Sequence, residues 1–249
     1  MPPPRPPLEL RVLPDADAVA RAAAELFATL AADAVRARGR FTVALSGGAT
    51  PRALHAHLAS GDVGRDLGPL PWGRTFVFFG DERAVPPDDP ASNYRMARET
   101  LLSHASVPGS HVFRMEGEAT DRDAAARRYE TALRGETAVG GGLDLVFLGL
   151  GEDGHTASLF PGSPALTETS RLVVPSQAPP NVAPRERITL TFPALAAARR
   201  VVFLVSGAAK RDALARVRGA EQPLVPAARV TAREGVLWLA DVRAADEHV

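Results

Sequence analysis

The stretch LDLVFLGLGEDGHTASLFPG, Leu143 to Gly162, limits the possible folds more than any other part of the chain. Leu143 to Leu150 is nearly all apolar and ends among glycines, the pattern of a strand buried on both faces of a parallel sheet. Such a strand needs covering layers on both sides. Gly149, Gly151 and Gly154 then supply backbone freedom where the chain leaves the strand, and Glu152, Asp153 and His155 cluster there. Open α/β sheets bind ligands at the ends of such strands, so Asp153 and His155 become candidate site residues. Taken alone, Asp-Gly-His reads more simply as a surface loop or a helix cap. Other strands change that balance.

Arg40 to Leu45 (RFTVAL) predicts a buried strand that runs straight into Ser46-Gly47-Gly48-Ala49-Thr50-Pro51, with a helix from Pro51 through Leu58. Proline suits a first helical turn, and the glycines leave backbone N–H groups open to a ligand at the positive end of the helix dipole, an arrangement suited to phosphate. The turn lacks the spacing of a nucleoside-triphosphate loop or a dinucleotide fingerprint, so ATP and NAD are not expected. Arg74 to Gly80 (RTFVFFG) predicts another core strand, ending in Asp81-Glu82-Arg83. Val201 to Val205 predicts a fourth, followed by Ser206-Gly207-Ala208-Ala209-Lys210 and an amphipathic helix to Val217. Lys210 is the sole lysine, and a cation at a helix start is disfavoured by the dipole unless an anion compensates it.

The intervening segments complete an alternating pattern. Helices are predicted over Asp15 to Arg38, Ser92 to His104, Thr120 to Leu133 and Pro193 to Arg200, and short strands over His111 to Met115 and Arg171 to Pro175. Arg187 to Phe192 (RITLTF) alternates as an edge strand or a strand beside a pocket does, and Val236 to Asp241 closes the sheet. Gln177 to Pro184 is a proline-rich loop of a kind able to cover a site. The whole predicts an α/β fold, a three-layer Rossmann-like sandwich on a mostly parallel sheet, as a single domain over residues 1–249 with a proline-rich lead at 1–8. The polar clusters at Ser46 to Thr50, Asp81 to Arg83 and Asp153 to His155, with Lys210, should converge on one edge of that sheet.

Composition narrows the function. Twenty-nine basic residues balance 29 acidic ones, which leaves no bulk field for nucleic acid or an anionic membrane. With no cysteine, thiolate chemistry and cysteine-ligated metals are excluded. His55 and His57, at i and i+2 of a helix, point apart, so no metal site is expected. The N-terminus lacks the apolar core of a signal peptide, and the expectation is a cytoplasmic protein without a cofactor.

Five segments in order, SGGATP, GDERAVPPDDPASNY, LGLGEDGHTASLFPGS, RITLTFPAL and FLVSGAAK, resemble the 6-phosphogluconolactonase family over roughly residues 15 to 242. The resemblance implies a fold similar to glucosamine-6-phosphate deaminase and ribose-5-phosphate isomerase, and hydrolysis of the lactone made by glucose-6-phosphate dehydrogenase. A monomer is expected, with an oligomer left open. The deaminases share several of these motifs, but usually have Asp-Glu-Tyr where this chain has Asp81-Glu82-Arg83. They also follow their histidine with Ile-Ala-Phe-Asn-Glu-Pro where this chain has Thr156 to Pro161. A sugar-phosphate-binding module without catalysis is a third reading, one that requires neither His155 nor Asp153.

Lactone hydrolysis needs an activated water, a stabiliser for the developing oxyanion and a proton for the leaving ring oxygen. Imidazole titrates near neutral pH and can serve as base and then as acid. The resemblance makes His155 the base and places Asp153 in the site, either orienting the ring or touching substrate. Arg83 is the candidate cation, and Asp81 and Glu82 either hold its guanidinium or bind sugar hydroxyls. Ser46, Thr50, the Gly47 and Gly48 backbone and Lys210 form a candidate phosphate cradle, with Arg187 added by the family pattern.

Overall fold

The computed structural model describes residues 8–61, 63, 68–219 and 225–246, so most of the proline-rich lead lies outside the described residues. Six parallel strands form the main sheet: β1 (Glu9–Leu13), β2 (Phe41–Leu45), β3 (Thr75–Phe79), β5 (Leu145–Gly149), β8 (Arg200–Val205) and β9 (Val236–Asp241), in the order β1-β9-β8-β5-β2-β3. Alternate residues of β5 explain its apolar run. Val146 and Leu148 enter one core, whereas Leu145 and Phe147 enter the other, and all four are 0% exposed. Each such side chain contributes about 1.5–3 kcal/mol by leaving water, so a polar residue has no place in the run except at its start. Asp144 stands there, accepting hydrogen bonds from the Thr42 N–H and hydroxyl and pairing with Arg38.

Helices cover both faces. α1 (Ala16–Arg38) and α2 (Ala49–Ser60) pack on one side, together with α3 (Asn93–Ala97) and the π-helical turn Arg98–Leu102 that continues it. On the other side lie α4 (Arg122–Thr137), α5 (Phe192–Ala197), α6 (Arg211–Arg218) and α7 (Val242–Ala245). Helix α1 is terminated as its sequence predicts, with the Asp15 carboxylate accepting from the Ala18 N–H and Gly39 in the left-handed region.

A second, antiparallel sheet of β4 (Asp81–Arg83), β7 (Glu186–Leu190) and β6 (Val173–Gln177), in the order β4-β7-β6, sits beyond the ends of the parallel strands. Its junction with the main sheet is tied at Gly80, which donates to the Leu45 carbonyl and accepts from the Leu190 N–H. The buried Tyr129 hydroxyl both donates to the Phe79 carbonyl and accepts its N–H, satisfying the outer side of β3 just before that junction.

Three elements differ from expectation. Strand β1 is absent from the sequence reading because its alternating Glu9-Leu10-Arg11-Val12-Leu13 follows prolines and sits at the sheet edge, exposed on every second residue. Asp81 to Arg83 is a strand, although three successive charged residues carry no strand signal, because β7 supplies its hydrogen-bonding partner. His111 to Met115, expected as a strand, contributes only a bridge from Val112 to Val77 after a 3₁₀ turn.

Candidate active site

The strands β8, β5, β2 and β3 are neighbours in the sheet, so the segments that leave their C-terminal ends meet. They enclose an open cleft of about 520 Å³, lined by Ser46 to Pro51, Asp81, Arg83, Gly151, His155, Arg187 and Lys210 among others. Local sequence signals at four strand ends are thus brought to one place by strand order, at the position where parallel sheets bind ligands.

At the exit of β5, the His155 Nδ1 lies 2.5 Å from Asp153 Oδ1, and the same carboxylate oxygen accepts the His155 backbone N–H. Burial opposes the Asp153 charge, but the His155 N–H, the imidazole charge and the ring hydrogen bond outweigh it and hold the carboxyl below its ordinary value. The turn leaves little room. The Gly151 N–H donates to the His155 carbonyl, and a β-carbon on Gly151 would overlap the imidazole ring. From the solvent side, Arg216 of α6 donates to the Glu152 and Asp153 carbonyls, and Phe160 packs 4.4 Å from the His155 ring centre. Ala157, which lines the cleft, has φ 47°, a left-handed conformation that costs a non-glycine residue energy and is found at functional turns.

The charged strand β4 separates its three residues. Glu82 is 2% exposed and faces away from the cleft lining: its carboxylate accepts the backbone N–H groups of Arg83, Asn93 and Tyr94 and the Ser92 hydroxyl. Burial pushes its pKa up despite these four donors. Glu82 therefore anchors the start of α3, in place of the expected contact with sugar or guanidinium. Asp81 and Arg83 line the cleft. Asp81 accepts the Ser158 hydroxyl at 2.6 Å and the Asn93 amide at 3.1 Å, and Arg83 is held by the Asn93 carboxamide oxygen, so Asn93 supplies the support expected from the two acids.

The anion-binding features occupy the remaining walls. Gly48, at φ 118°, precedes the first turn of α2; Gly48, Ala49 and Thr50 line the cleft, and among the described residues no side chain caps this helix start. The Thr50 hydroxyl lies 2.5 Å from that of Ser206, joining the turn after β2 to the turn after β8. Lys210, at the end of that second turn, has its Nζ 3.7 Å from Glu152 Oε1, a partner from this chain for the cation at the helix start. Arg187 lies opposite Arg83 in the β4–β7 ladder and is 5% exposed. Its Nε and Nη1 are buried without a hydrogen-bond partner among the described residues, and so is the Ser46 hydroxyl. Burial lowers the Arg187 pKa, with Asp81 opposing and Arg83 reinforcing the shift. Buried unpartnered donors on a cation favour an anionic ligand, because a group that accepts them removes a desolvation penalty of about 1–3 kcal/mol or more.

Asn93, Ser158, Ser206 and Val182 of the 177–184 loop also line the cleft and were not singled out from the sequence. Asn93 follows the helix-capping Ser92 and looks like an ordinary first-turn residue; only the return of α3 against β4 gives it a site position. Among the described residues, no three His, Asp or Glu side chains gather as metal ligands, and no helix is long and apolar enough to cross a membrane.

The family model described as glucosamine-6-phosphate isomerases/6-phosphogluconolactonase matches residues 14–238. A 6-phosphogluconolactonase of Mycobacterium tuberculosis is 39% identical over 244 residues, covering 95% of this chain and 96% of that protein. One of Rattus norvegicus is 39% identical over 227 residues, covering 89% and 86%. Among solved structures, 6-phosphogluconolactonase from Trypanosoma cruzi superposes with a TM-score of 0.82 at 28% identity, covering 96% of each chain. A monomeric glucosamine-6-phosphate deaminase shares the fold with a TM-score of 0.78 at 22% identity, covering 96% of this chain and 99% of that one.

Proposed function

Since this chain belongs to the glucosamine-6-phosphate isomerase/6-phosphogluconolactonase family, we propose that it hydrolyses 6-phospho-D-glucono-1,5-lactone to 6-phosphogluconate. In that role it acts in the pentose phosphate pathway on the product of glucose-6-phosphate dehydrogenase. The observation that carries the reading is His155, backed by Asp153, lining one cleft with Arg83, Arg187 and Lys210. With Nδ1 directed to Asp153, the other ring nitrogen, Nε2, is the one available to a water. It removes a proton as the water oxygen bonds to C1, and the electron pair of the carbonyl moves onto its oxygen. Arg83 stabilises that oxyanion. As the carbonyl re-forms, the C1–O5 bond breaks and the imidazolium returns its proton to O5. Proton transfer by a positioned imidazole is typically worth about 10²–10⁴ in rate, and Asp153 holds the ring in the required tautomer and stabilises the imidazolium.

The 6-phosphate is held by the turn after β2, the Thr50 hydroxyl, Lys210 and Arg187. Its binding energy, spent far from C1, positions the carbonyl against the water and so appears in rate as well as affinity. No metal or cofactor is required by this chemistry.

The segment Thr156 to Pro161 lacks the glutamate that follows the histidine in the deaminases, and Asp153, two residues before His155, is the acid that pairs with the ring instead. The preference for lactone hydrolysis rests on Arg83 in place of the deaminases' usual tyrosine and on the relatives at 39% identity. The test is a pH-stat assay with freshly generated lactone beside ammonia detection with glucosamine 6-phosphate. Lactone turnover without ammonia is expected; ammonia release without lactone turnover overturns the proposal.

A further inference from the structure

Arg83 reaches the cleft from a three-residue strand, with Arg187 beside it and, among the described residues, no carboxylate on its guanidinium. Its one recorded side-chain partner among the described residues is the neutral oxygen of Asn93, which is 2% exposed. The carboxamide has a defined orientation. Its Nδ2 donates to the Asp81 carbonyl at 2.9 Å and to Asp81 Oδ1 at 3.1 Å, which leaves Oδ1 to accept from Arg83. Turning the amide over would set its NH₂ against the guanidinium and its oxygen against the carboxylate, losing all three contacts. The backbone of Asn93 is fixed as well, because its N–H donates to the buried Glu82.

A second observation points to the same residue. Gly47 is not in the left-handed region, so its turn does not require glycine for φ; a β-carbon there would overlap the Asn93 carboxamide oxygen. The turn after β2 is thus built to let the Asn93 carboxamide lie against it, with Arg83 Nη1 close beside the same position. A carboxylate would fill the same space and bind the guanidinium more strongly. It would also neutralise the charge.

We propose that Asn93 is a positioning residue that orients Arg83 through a neutral acceptor, so that the guanidinium meets the substrate without a carboxylate bound directly to it. This rests on the lactonase reading for what Arg83 does, but the positioning itself is a property of any anionic ligand in the cleft. The distinguishing variant is Asn93→Asp. It is nearly isosteric, and a carboxylate in the first turn of a helix is favoured by the dipole, so the fold should persist. The new carboxylate would neutralise Arg83 and face Asp81 without a donor between them.

The experiment measures kcat and KM on 6-phosphogluconolactone, Kd for 6-phosphogluconate and Tm, for wild type, Asn93→Asp, Asn93→Ala, Arg83→Ala and the Asn93→Ala/Arg83→Ala double variant. Asn93→Asp is expected to lower kcat by at least about 10²-fold and weaken 6-phosphogluconate by about tenfold or more, in a protein that still folds but with a lower Tm, because both amide donations to Asp81 are lost. The double variant should lose no more than Arg83→Ala alone, since one residue acts through the other. Asn93→Asp within about threefold of wild type in both kcat and Kd, or fully additive losses in the cycle, would overturn the proposal. If the wild type does not turn over the lactone, the proposed function fails, and the 6-phosphogluconate titrations still decide the role of Asn93. Wild type that neither turns over the lactone nor binds 6-phosphogluconate overturns both.

Discussion

His155 Nδ1 sits 2.5 Å from Asp153 Oδ1, two residues back along the same turn, and that short local contact makes the two ring nitrogens inequivalent. Nδ1 is engaged by the chain, so Nε2 is left for the cleft. Most acid–histidine pairs of this kind are assembled from distant segments. Here the pair is local, and the long-range work goes into holding its turn, through Arg216 from α6 and the overlap-free backbone of Gly151.

Asp153→Asn should keep the fold and lower kcat by about 10²-fold or more, because an amide that donates to Nδ1 favours the wrong tautomer and cannot stabilise the imidazolium. Steady-state kinetics with circular dichroism as a folding control tests it. A variant with wild-type kcat would remove Asp153 from the proton transfers.

Gly151→Ala should behave like a partial loss of His155, since the new methyl group occupies the space of the imidazole ring. The ring or the turn must move, and misplacement by about 1 Å can cost about 10²-fold in rate. The expected signature is a fall in kcat beside a KM changed much less. An equal loss of Tm and no change in kcat would show that the turn relaxes elsewhere.

Lys210→Ala should chiefly damage recognition of the phosphorylated lactone, leaving unphosphorylated gluconolactone little affected. The ion pair with Glu152 is partly exposed and contributes little to stability, so the fold is not at risk. Parallel kcat/KM values on the two lactones decide it: equal losses would place Lys210 outside the phosphate site.

His55 predicts a pH dependence of stability. It is 0% exposed, its Nδ1 lies 2.8 Å from Thr100, and burial, aided by the charge of Arg52, lowers its pKa from 6.5 to about 4. Between these values the unfolded chain binds a proton that the folded chain does not, so stability rises with pH. The contribution is complete above about 6.5 and is lost as pH falls toward 4, with a full span of about 3 kcal/mol. Urea unfolding at pH 7 and pH 4.5 should show a smaller difference for His55→Asn than for wild type; an unchanged difference would mean that other groups carry the acid sensitivity.

Much of the fold is legible because burial leaves a periodic trace. Leu145 to Leu148 and Val201 to Val205 are apolar at every position since both faces are covered, and α1 displays its cap and its stop in order. Where burial does not set the pattern, the reading fails. β4 is three charged residues whose strand conformation comes from pairing with β7, and β1 is an edge strand whose polar alternation hides it behind prolines. Helix α2 begins at Ala49, two residues before the Pro51 that marks it in sequence.

The site divides along the same line. His155 and Asp153 are visible because they share one turn, and the glycines after β2 announce a helix start open to a ligand. Glu82 and Asn93 are not. Glu82 stands between two cleft residues in sequence, yet strand alternation turns it into the protein, where four donors from α3 and its own backbone meet it. The exchange of roles between Glu82 and Asn93 depends on α3 returning against β4, contacts between residues 10 to 12 positions apart that no local propensity encodes.

The sequence by itself determined which strands are buried, where each ends in polar residues, and which of those residues are candidates for the chemistry, because hydrophobic periodicity and turn composition are written locally. The tertiary structure alone decided that β8, β5, β2 and β3 stand side by side, that Arg187 faces Arg83 with donors unpartnered among the described residues, and that Asn93 rather than an acid holds the cation. Strand order and cross-strand pairing are set by how all the layers pack together, and the free energy of that packing belongs to no single segment.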